Sequence, residues 1–332
     1  MKDYNYYKTI AEICDEANDV YKKFKVEEII PLGKIKLNKE SEEGDSFLLK
    51  SGESKYLMVE TSTDFYWVGA RLMFYEINGI NSSFAKYLHD YDQNDHNGKR
   101  RRLFVFSYIE GEPLKDYLAK INKEETYMLG KSFGNDLRKV HLKEVDVLNF
   151  HIPHWYGKYK FIQKDIINEF NINEINDKAY AYYKDNEGII YERYSTSEYY
   201  QKIDGEYVYD ENGNIVIEKV LSFIFGDIRV DNLIVSEGNV CIRCPINIAI
   251  SDPFYDFKYL SLIALESEKF ARGIIDGYFE GKVSRDFFKM LKYYTSELII
   301  KESEKTLDSK VVENIYSSYE DYNLEIPKWY KK

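Results

Sequence analysis

Apolar and polar positions change rhythm more than once along the 332 residues. Between Tyr4 and Tyr21, the side chains Ile10, Ile13, Cys14, Ala17 and Val20 recur at helical spacing, which predicts a helix. After Pro31 the period shortens. "GKIKL", "DSFLLKS" and "KYLMVET" are brief, partly alternating runs set apart by Gly, Asn, Ser and Glu, and they predict a small antiparallel meander. "FYWVGARLMFYEINGI", Phe65 to Ile80, returns to a helical pattern that ends near Asn78-Gly79. "RRLFVFSYIEGEPL", Arg101 to Leu114, reads as a buried strand running into a turn at Glu110-Gly111-Glu112-Pro113.

Beyond Leu114 helical spacing dominates, most clearly in "TYMLGKSFGNDLRKVHLKEV" from Thr126 to Val145. The stretch from Tyr180 to Val220 differs, with turn signals at "DNEG", "IDG" and "DENGN". Asn212-Gly213, set between alternating runs, is a hairpin signal. Tyrosines crowd this stretch, which is read as an inserted hairpin unit serving as a lid, an interaction surface or a decoration. From Tyr259 to Lys332 the pattern is again mostly helical. Two domains are therefore expected: a sheet-rich lobe over 1–110 and a helical lobe over 111–332, with an insertion at about 177–222.

Composition narrows the classes. A net charge of -11 disfavours non-specific attraction to nucleic acid or to an anionic membrane, both of which need concentrated positive charge. The compact basic run "GKRRR", Gly98 to Arg102, is read as a solvated loop leading into a strand rather than an anion site. No stretch reaches the ~18 consecutive apolar residues of a membrane span, and "MKDYNYYKTIAEICDE" lacks the apolar core of a signal peptide. Three cysteines, Cys14, Cys241 and Cys244, cannot make an extensive disulfide framework, so a reducing, cytoplasmic setting is expected. The 32 tyrosines are read as half-buried rings with wet hydroxyls rather than a stacking surface.

Candidate chemistry concentrates in "FIFGDIRVDNLIVSEGNVCIRCPINIAISDPFYDF", Phe223 to Phe257. Asp227 and Asn232 lie five apart where one strand-like run gives way to another, so a loop can turn both toward one cavity. A carboxylate that takes a hydroxyl proton and an amide oxygen that binds magnesium are parts of a phosphoryl-transfer site. The surrounding sequence resembles the aminoglycoside phosphotransferase and choline kinase family, whose members carry a His-Gly-Asp-x4-Asn loop. "FGDIRVDNLIV" matches that loop with Phe225 at the histidine position. "LGKSFGNDLRKVH" is similar to the family's helix ending in Leu-x-x-Leu-His, "YIEGEPL" to its hinge, and "AISDPFYDFKYL" to the segment after its metal loop. The matches follow the family's order and cover roughly residues 25 to 265. The resemblance implies a two-lobed protein-kinase-like α+β fold: a small antiparallel-sheet lobe and a larger helical lobe carrying the inserted hairpin unit. It implies ATP and Mg2+ as cofactors and a small-molecule hydroxyl acceptor, aminoglycoside- or choline-like. Asp227 would be the general base and Asn232 a metal ligand, and the backbone of Ser107, Tyr108 and Ile109 would meet adenine in a cleft between the lobes.

Three departures concern the same ligand. The family's second metal-binding aspartate falls on Cys244 when counted back eight residues from the position of Asp252, or on Pro245 when counted forward from the strand "NLIVSEGNV", with Arg243 adjacent; Asn247 is the nearest oxygen-bearing side chain. An arginine ~5 Å from a divalent cation costs several kcal/mol even at an effective dielectric near 20. The family's nucleotide lysine falls among Met58, Val59 and Glu60, and its glutamate partner among Gly69, Ala70 and Arg71, so Glu60 and Arg71 offer a charge-reversed pair. Lys50 and Lys55 sit nearer strand ends. The segment that would cover the phosphates, "PLGKIKLNKESEEGDSF", has Gly33 and Gly44 but adds four acidic residues, Glu40, Glu42, Glu43 and Asp45. The alternative to a kinase is a pseudokinase that uses the cleft for another ligand or a protein partner.

Other groupings carry less. "CIRC" with "HIPH" (His151 to His154) has the arithmetic of a zinc site, but residues three apart on a strand point to opposite faces. A redox Cys-x2-Cys opens a helix, which this one does not, so buried structural thiols are expected. His141 reads as a packing histidine with a satisfied ring, and Asp252 and Asp256 as caps of the helix after Pro253.

Overall fold

A computed structural model describes residues 20, 22–36, 43–62, 77–78, 80, 84–94, 100–143, 177–186, 199–200, 202–203, 206–207, 217–218, 222–226, 228–302, 307–321 and 326–331. The chain divides into two compact units: Met1–Ala119 with Phe225–Ala249, and Lys120–Ile224 with Ile250–Lys332.

In the first unit the meander expected after Pro31 is a five-stranded antiparallel sheet. It contains β1 (Glu28–Lys36), β2 (Glu43–Ser51), β3 (Ser54–Ser62), β4 (Tyr87–Asn94) and β5 (Arg100–Ser107), in the order β1-β2-β3-β5-β4. Its inner strands are buried on both faces. Phe47, Met58 and Val105 share one cross-strand row, and Leu48, Leu57 and Phe106 share the next, on the opposite face. The first face is covered by the helical residues Val20 and Phe24, which pack with Ile29, Leu49 and Leu103. That accounts for the apolar texture of "FLL", "YLMV" and "LFVF", since strands buried on both faces read as runs rather than alternation. β4 escaped the sequence pattern because "YLHDYDQN" is largely polar, as an edge strand can be. Arg102, the last residue of the basic run, is buried within β5 rather than solvated. At Gly33 the β1–β2 register shifts and φ is +118°, a conformation an L side chain rarely adopts.

The same unit holds a second, three-stranded sheet. β12 (Leu233–Ser236) lies between β13 (Asn239–Ile242) and the two-residue β6 (Glu112–Pro113). A short helix, α1 (Leu114–Leu118), follows β6.

The second unit is helical. α2 (Lys123–His141) starts at a capping box in which Asn122 accepts from the amides of Glu124 and Glu125, while Glu125 returns a bond to the Asn122 amide. It packs on α5 (Glu268–Phe279) at very short range, glycine against backbone. A Cβ added to Gly134 would lie 2.1 Å from the Ile274 carbonyl oxygen, and one on Gly277 would lie 2.0 Å from that of Lys131. α4 (Leu260–Glu266), α6 (Arg285–Glu302), α7 (Ser309–Ser317) and α8 (Lys328–Lys331) complete the C-terminal part.

Of the inserted segment, the structure describes α3 (Asp177–Asp185) and two small antiparallel ladders. β7 (Tyr199–Tyr200) pairs with β10 (Ile217–Glu218), and β8 (Lys202–Ile203) pairs with β9 (Glu206–Tyr207). The hairpin unit is therefore present, and the Asn212-Gly213 turn lies outside the described residues. α3 docks on α6 through Tyr183, whose ring stacks on Tyr293 with centroids 4.8 Å apart. The fully buried ammonium of Lys292 sits 4.1 Å from the Tyr182 ring centroid. Among the described residues no helix is long and apolar enough to cross a membrane. A small antiparallel-sheet lobe and a helical lobe with an insertion are what the chain builds, as its sequence leads one to expect.

Candidate functional site

Asn232 closes a single 3-10 turn, Val230–Asn232, and leads directly into β12. The β12–β13 ladder pairs Leu233 with Ile242, and the next rung is continued by the Arg243 amide donating to the Asn232 carbonyl at 2.9 Å. The Asn232 side chain then supplies one rung more. Its Nδ2 donates to the Cys244 carbonyl at 3.2 Å, and its Oδ1 accepts from the Cys244 amide at 3.2 Å. A primary amide presents a donor and an acceptor side by side, so it pairs with a backbone residue as another strand would. Asn232 and Cys244 are both buried.

Cys244 is where counting back eight residues from Asp252 puts the second metal-binding carboxylate of the resembled loop. Its thiol is buried and reduced, and the guanidinium-bearing neighbour Arg243 is exposed. Magnesium requires near-octahedral oxygen ligation and one or two carboxylates. Here one expected carboxylate is a thiol, and the expected amide oxygen already faces an N–H. Among the described residues no group of three or more His, Cys, Asp or Glu side chains is placed to hold a metal. Of the two residues that the resemblance implies as general base and metal ligand, the described part of the chain includes Asn232. Asp227, the expected general base, lies outside the described residues, as do Arg71 and the His151 to His154 pair.

Phe225, at the histidine position of the resembled loop, is buried with its ring 4.4 Å from that of Phe84. The Phe84 backbone bridges to Ile242. An aromatic contact thus occupies a place where the loop otherwise carries a polar ring.

The segment that the resemblance implies as the hinge, Ser107 to Ile109, is held by defined backbone bonds. The Ser107 amide donates to the Lys86 carbonyl at 2.8 Å, and the Lys86 amide returns a bond to Ser107 Oγ at 2.8 Å. The Tyr108 amide donates to the Lys55 carbonyl at 3.3 Å. These bonds engage the N–H groups of Ser107 and Tyr108 within the unit.

Neither face of β3 presents a cation at its middle. Met58, Val59 and Glu60 are all buried, with Glu60 in register with Asp45 and Leu103. The two flanking lysines are engaged at strand ends, Lys50 with Glu28 at 2.9 Å and Lys55 with Glu110. The Glu110 hydrogen bond and charge hold the Lys55 ammonium above its ordinary pKa.

The second unit carries a buried polar network of its own. His141, at the end of α2, has Nδ1 2.9 Å from the Tyr278 hydroxyl and Nε2 3.0 Å from Asp256 Oδ2. Nε2–H donates to the carboxylate, and Nδ1 pairs with the tyrosine hydroxyl. Asp252 caps the following 3-10 helix through the Phe254 amide at 2.9 Å and accepts from Tyr294 at 2.9 Å. Asp256, read in sequence as a second cap, is instead the partner of His141. Tyr278 was not anticipated, since nothing in its sequence surroundings marks it.

No protein-family profile matches the chain, and no curated protein sequence matches it. Solved structures do. Aminoglycoside phosphotransferase APH(2'')-Ib, ADP-bound, superposes with a TM-score of 0.52 at 15% identity, covering 96% of this chain and 99% of that one. The amicoumacin kinase hAmiN, solved with AMP-PNP, Ca2+ and Ami, gives 0.56 at 12%, covering 93% of each chain. Aminoglycoside phosphotransferase APH(4)-Ia gives 0.56 at 10%, covering 90% of this chain and 96% of that one. The fold is protein-kinase-like, and within that class it is the fold of the aminoglycoside phosphotransferases.

Proposed function

We propose that this chain is a pseudokinase: a ligand-binding protein on the fold of the small-molecule phosphotransferases, in which magnesium-ATP chemistry has been lost. The observation that carries this reading is the engagement of both ends of the Asn232 amide with the backbone of Cys244. The residue meant to ligate metal is bonded to the residue that replaces the second metal carboxylate. Support comes from the absence of a lysine at the middle of β3 and from Phe225 against Phe84. In this reading the amides of Ser107 and Tyr108 stay engaged within the unit, and the occupant is a small molecule or a partner segment.

A second reading is favoured by the retained Gly226-Asp227 and Asn232 spacing and by the fold shared with aminoglycoside phosphotransferase APH(2'')-Ib and the amicoumacin kinase hAmiN. There the chain is an O-phosphotransferase, moving the γ-phosphate of ATP to a hydroxyl of an aminoglycoside- or choline-like acceptor, with Asp227 accepting the hydroxyl proton. Transfer of labelled γ-phosphate to a panel of aminoglycosides and choline, measured with Mg2+ for the native protein and Asp227→Asn, decides between them. The pseudokinase reading predicts no transfer above background from either protein. Transfer that Asp227→Asn abolishes establishes the enzyme.

A further inference from the structure

We infer that Phe84 is a positioning residue for the candidate loop: it holds the chain on both sides of residues 226–232 and ties them to the end of β5, where the resemblance puts the hinge. This rests on the reading above in taking the loop as the functional site, and it deepens that reading by naming what fixes the loop in place.

Phe84 is buried, with 4% of its surface exposed. Its ring centroid lies 4.4 Å from that of Phe225, the residue immediately before Gly226-Asp227. Its backbone forms an isolated parallel bridge with Ile242. Ile242 is in turn the cross-strand partner of Leu233, the residue immediately after Asn232. The side chain of Phe84 therefore meets the entry to the loop, and its backbone meets the strand that pairs with the exit. The entry contact is apolar on both sides. A buried imidazole at position 225 would need hydrogen-bond partners for its ring nitrogens, which a phenyl ring does not supply. Phe225 at the histidine position and Phe84 are a matched aromatic pair, so the departure from the resembled loop is also a change in how the loop is held.

The residues just after Phe84 are fixed to the five-stranded sheet. Asn78 takes the Tyr87 backbone at the start of β4, with Nδ2 donating to the carbonyl at 2.8 Å and Oδ1 accepting from the amide at 2.8 Å. Lys86 is bonded to Ser107 twice, through its carbonyl to the Ser107 amide and through its amide to Ser107 Oγ. The segment 84–87 thus carries the end of β5 on one side and the loop on the other, all within one unit. Close-packed interiors pass a displacement on rather than absorb it. Removing the Phe84 ring leaves a cavity against Phe225. The bonds that close the far side of the loop, from the Arg243 amide to the Asn232 carbonyl and from the Cys244 amide to Asn232 Oδ1, then open more often.

Amide hydrogen exchange of the full chain tests this, with the Arg243 and Cys244 rates each divided by the mean rate of the β3 amides, which report opening of the sheet itself. Phe84→Ala is expected to raise that ratio about tenfold or more. Phe84→Leu keeps an apolar contact with Phe225 and is expected to stay within about threefold of the native ratio. Phe47→Ala removes a buried ring from the face of the same sheet that Val20 and Phe24 cover. It is expected to leave the ratio within about threefold of native, however much it destabilises the protein. An unchanged ratio in Phe84→Ala, an equal rise in Phe84→Leu, or an equal rise in Phe47→Ala each overturns the inference. If Phe84→Ala does not fold, Phe84→Val takes its place, with a rise of about fivefold expected and no rise overturning the inference. Phosphoryl transfer would overturn the pseudokinase reading and leave these ratios as they are, so the two claims fail separately.

Discussion

His141 shows how a single side chain joins distant parts of the sequence. Its ring nitrogens bridge Tyr278 and Asp256, which lie 137 and 115 residues away. With both partners buried, removing His141 takes one hydrogen bond from each. His141→Ala is therefore expected to lower stability by about 2–3 kcal/mol, read from urea unfolding, because it leaves a cavity and removes two buried hydrogen bonds. His141→Ala combined with Asp256→Leu should recover a substantial part of that loss, since both partners of the pair are then apolar. A single variant as stable as the native protein would remove the network from the account. At the same scale, sequence identified the residue types of the candidate site and not their directions. "CIRCP" announces the missing carboxylate, and His141 was legible as a satisfied ring. That Asn232 turns its amide onto Cys244 depends on where β12 and β13 end. That Asp256 pairs rather than caps depends on the fold bringing α2 beside it. Neither is encoded in local spacing.

Among the elements, the α2–α5 contact is the most constrained. Gly130 and Gly134 on one helix face Gly273 and Gly277 on the other, and added Cβ atoms would meet backbone carbonyls at 2.0 to 2.3 Å. Helix propensity alone makes Gly→Ala stabilising by about 1 kcal/mol in a helix interior. The close approach reverses the sign, because the obstructing atoms are backbone and the helices have to separate. Gly134→Ala is expected to cost about 1–3 kcal/mol in urea unfolding, while still giving a helical circular dichroism spectrum. A stabilised Gly134→Ala protein would mean the helices are not in contact as described. The period-2 and period-3.6 patterns located β2, β3, β5 and α2 well, because each buries a stripe or a face that composition reveals. They missed β4, a largely polar strand at the sheet edge. The glycine pairs in "LGKSFGN" and "RGIIDGY" were visible in sequence, but which helix each would meet was not.

At the scale of the whole molecule, the chain has the fold of the aminoglycoside phosphotransferases. The proposed loss of magnesium-ATP chemistry draws on four departures from the resembled motifs: a thiol at the carboxylate position, an amide bonded to that position's backbone, an aromatic ring at the histidine position, and no cation at the middle of β3. A resemblance spread over ordered motifs was sufficient to anticipate the fold, since a fold tolerates wide substitution so long as its apolar pattern survives. Function depends on a handful of atoms: Asp227 and Asn232 stand at the spacing of the resembled loop, whereas Phe225 and Cys244 depart from it. The most direct test is a thermal unfolding titration with millimolar ATP, once in EDTA and once with Mg2+. Nucleotide at about a hundred times its dissociation constant adds ~2.7 kcal/mol of stability, which shifts the transition visibly. The account predicts coincident transitions in the two buffers. A transition raised by ATP only when Mg2+ is present, and lost in Asn232→Ala, would contradict it.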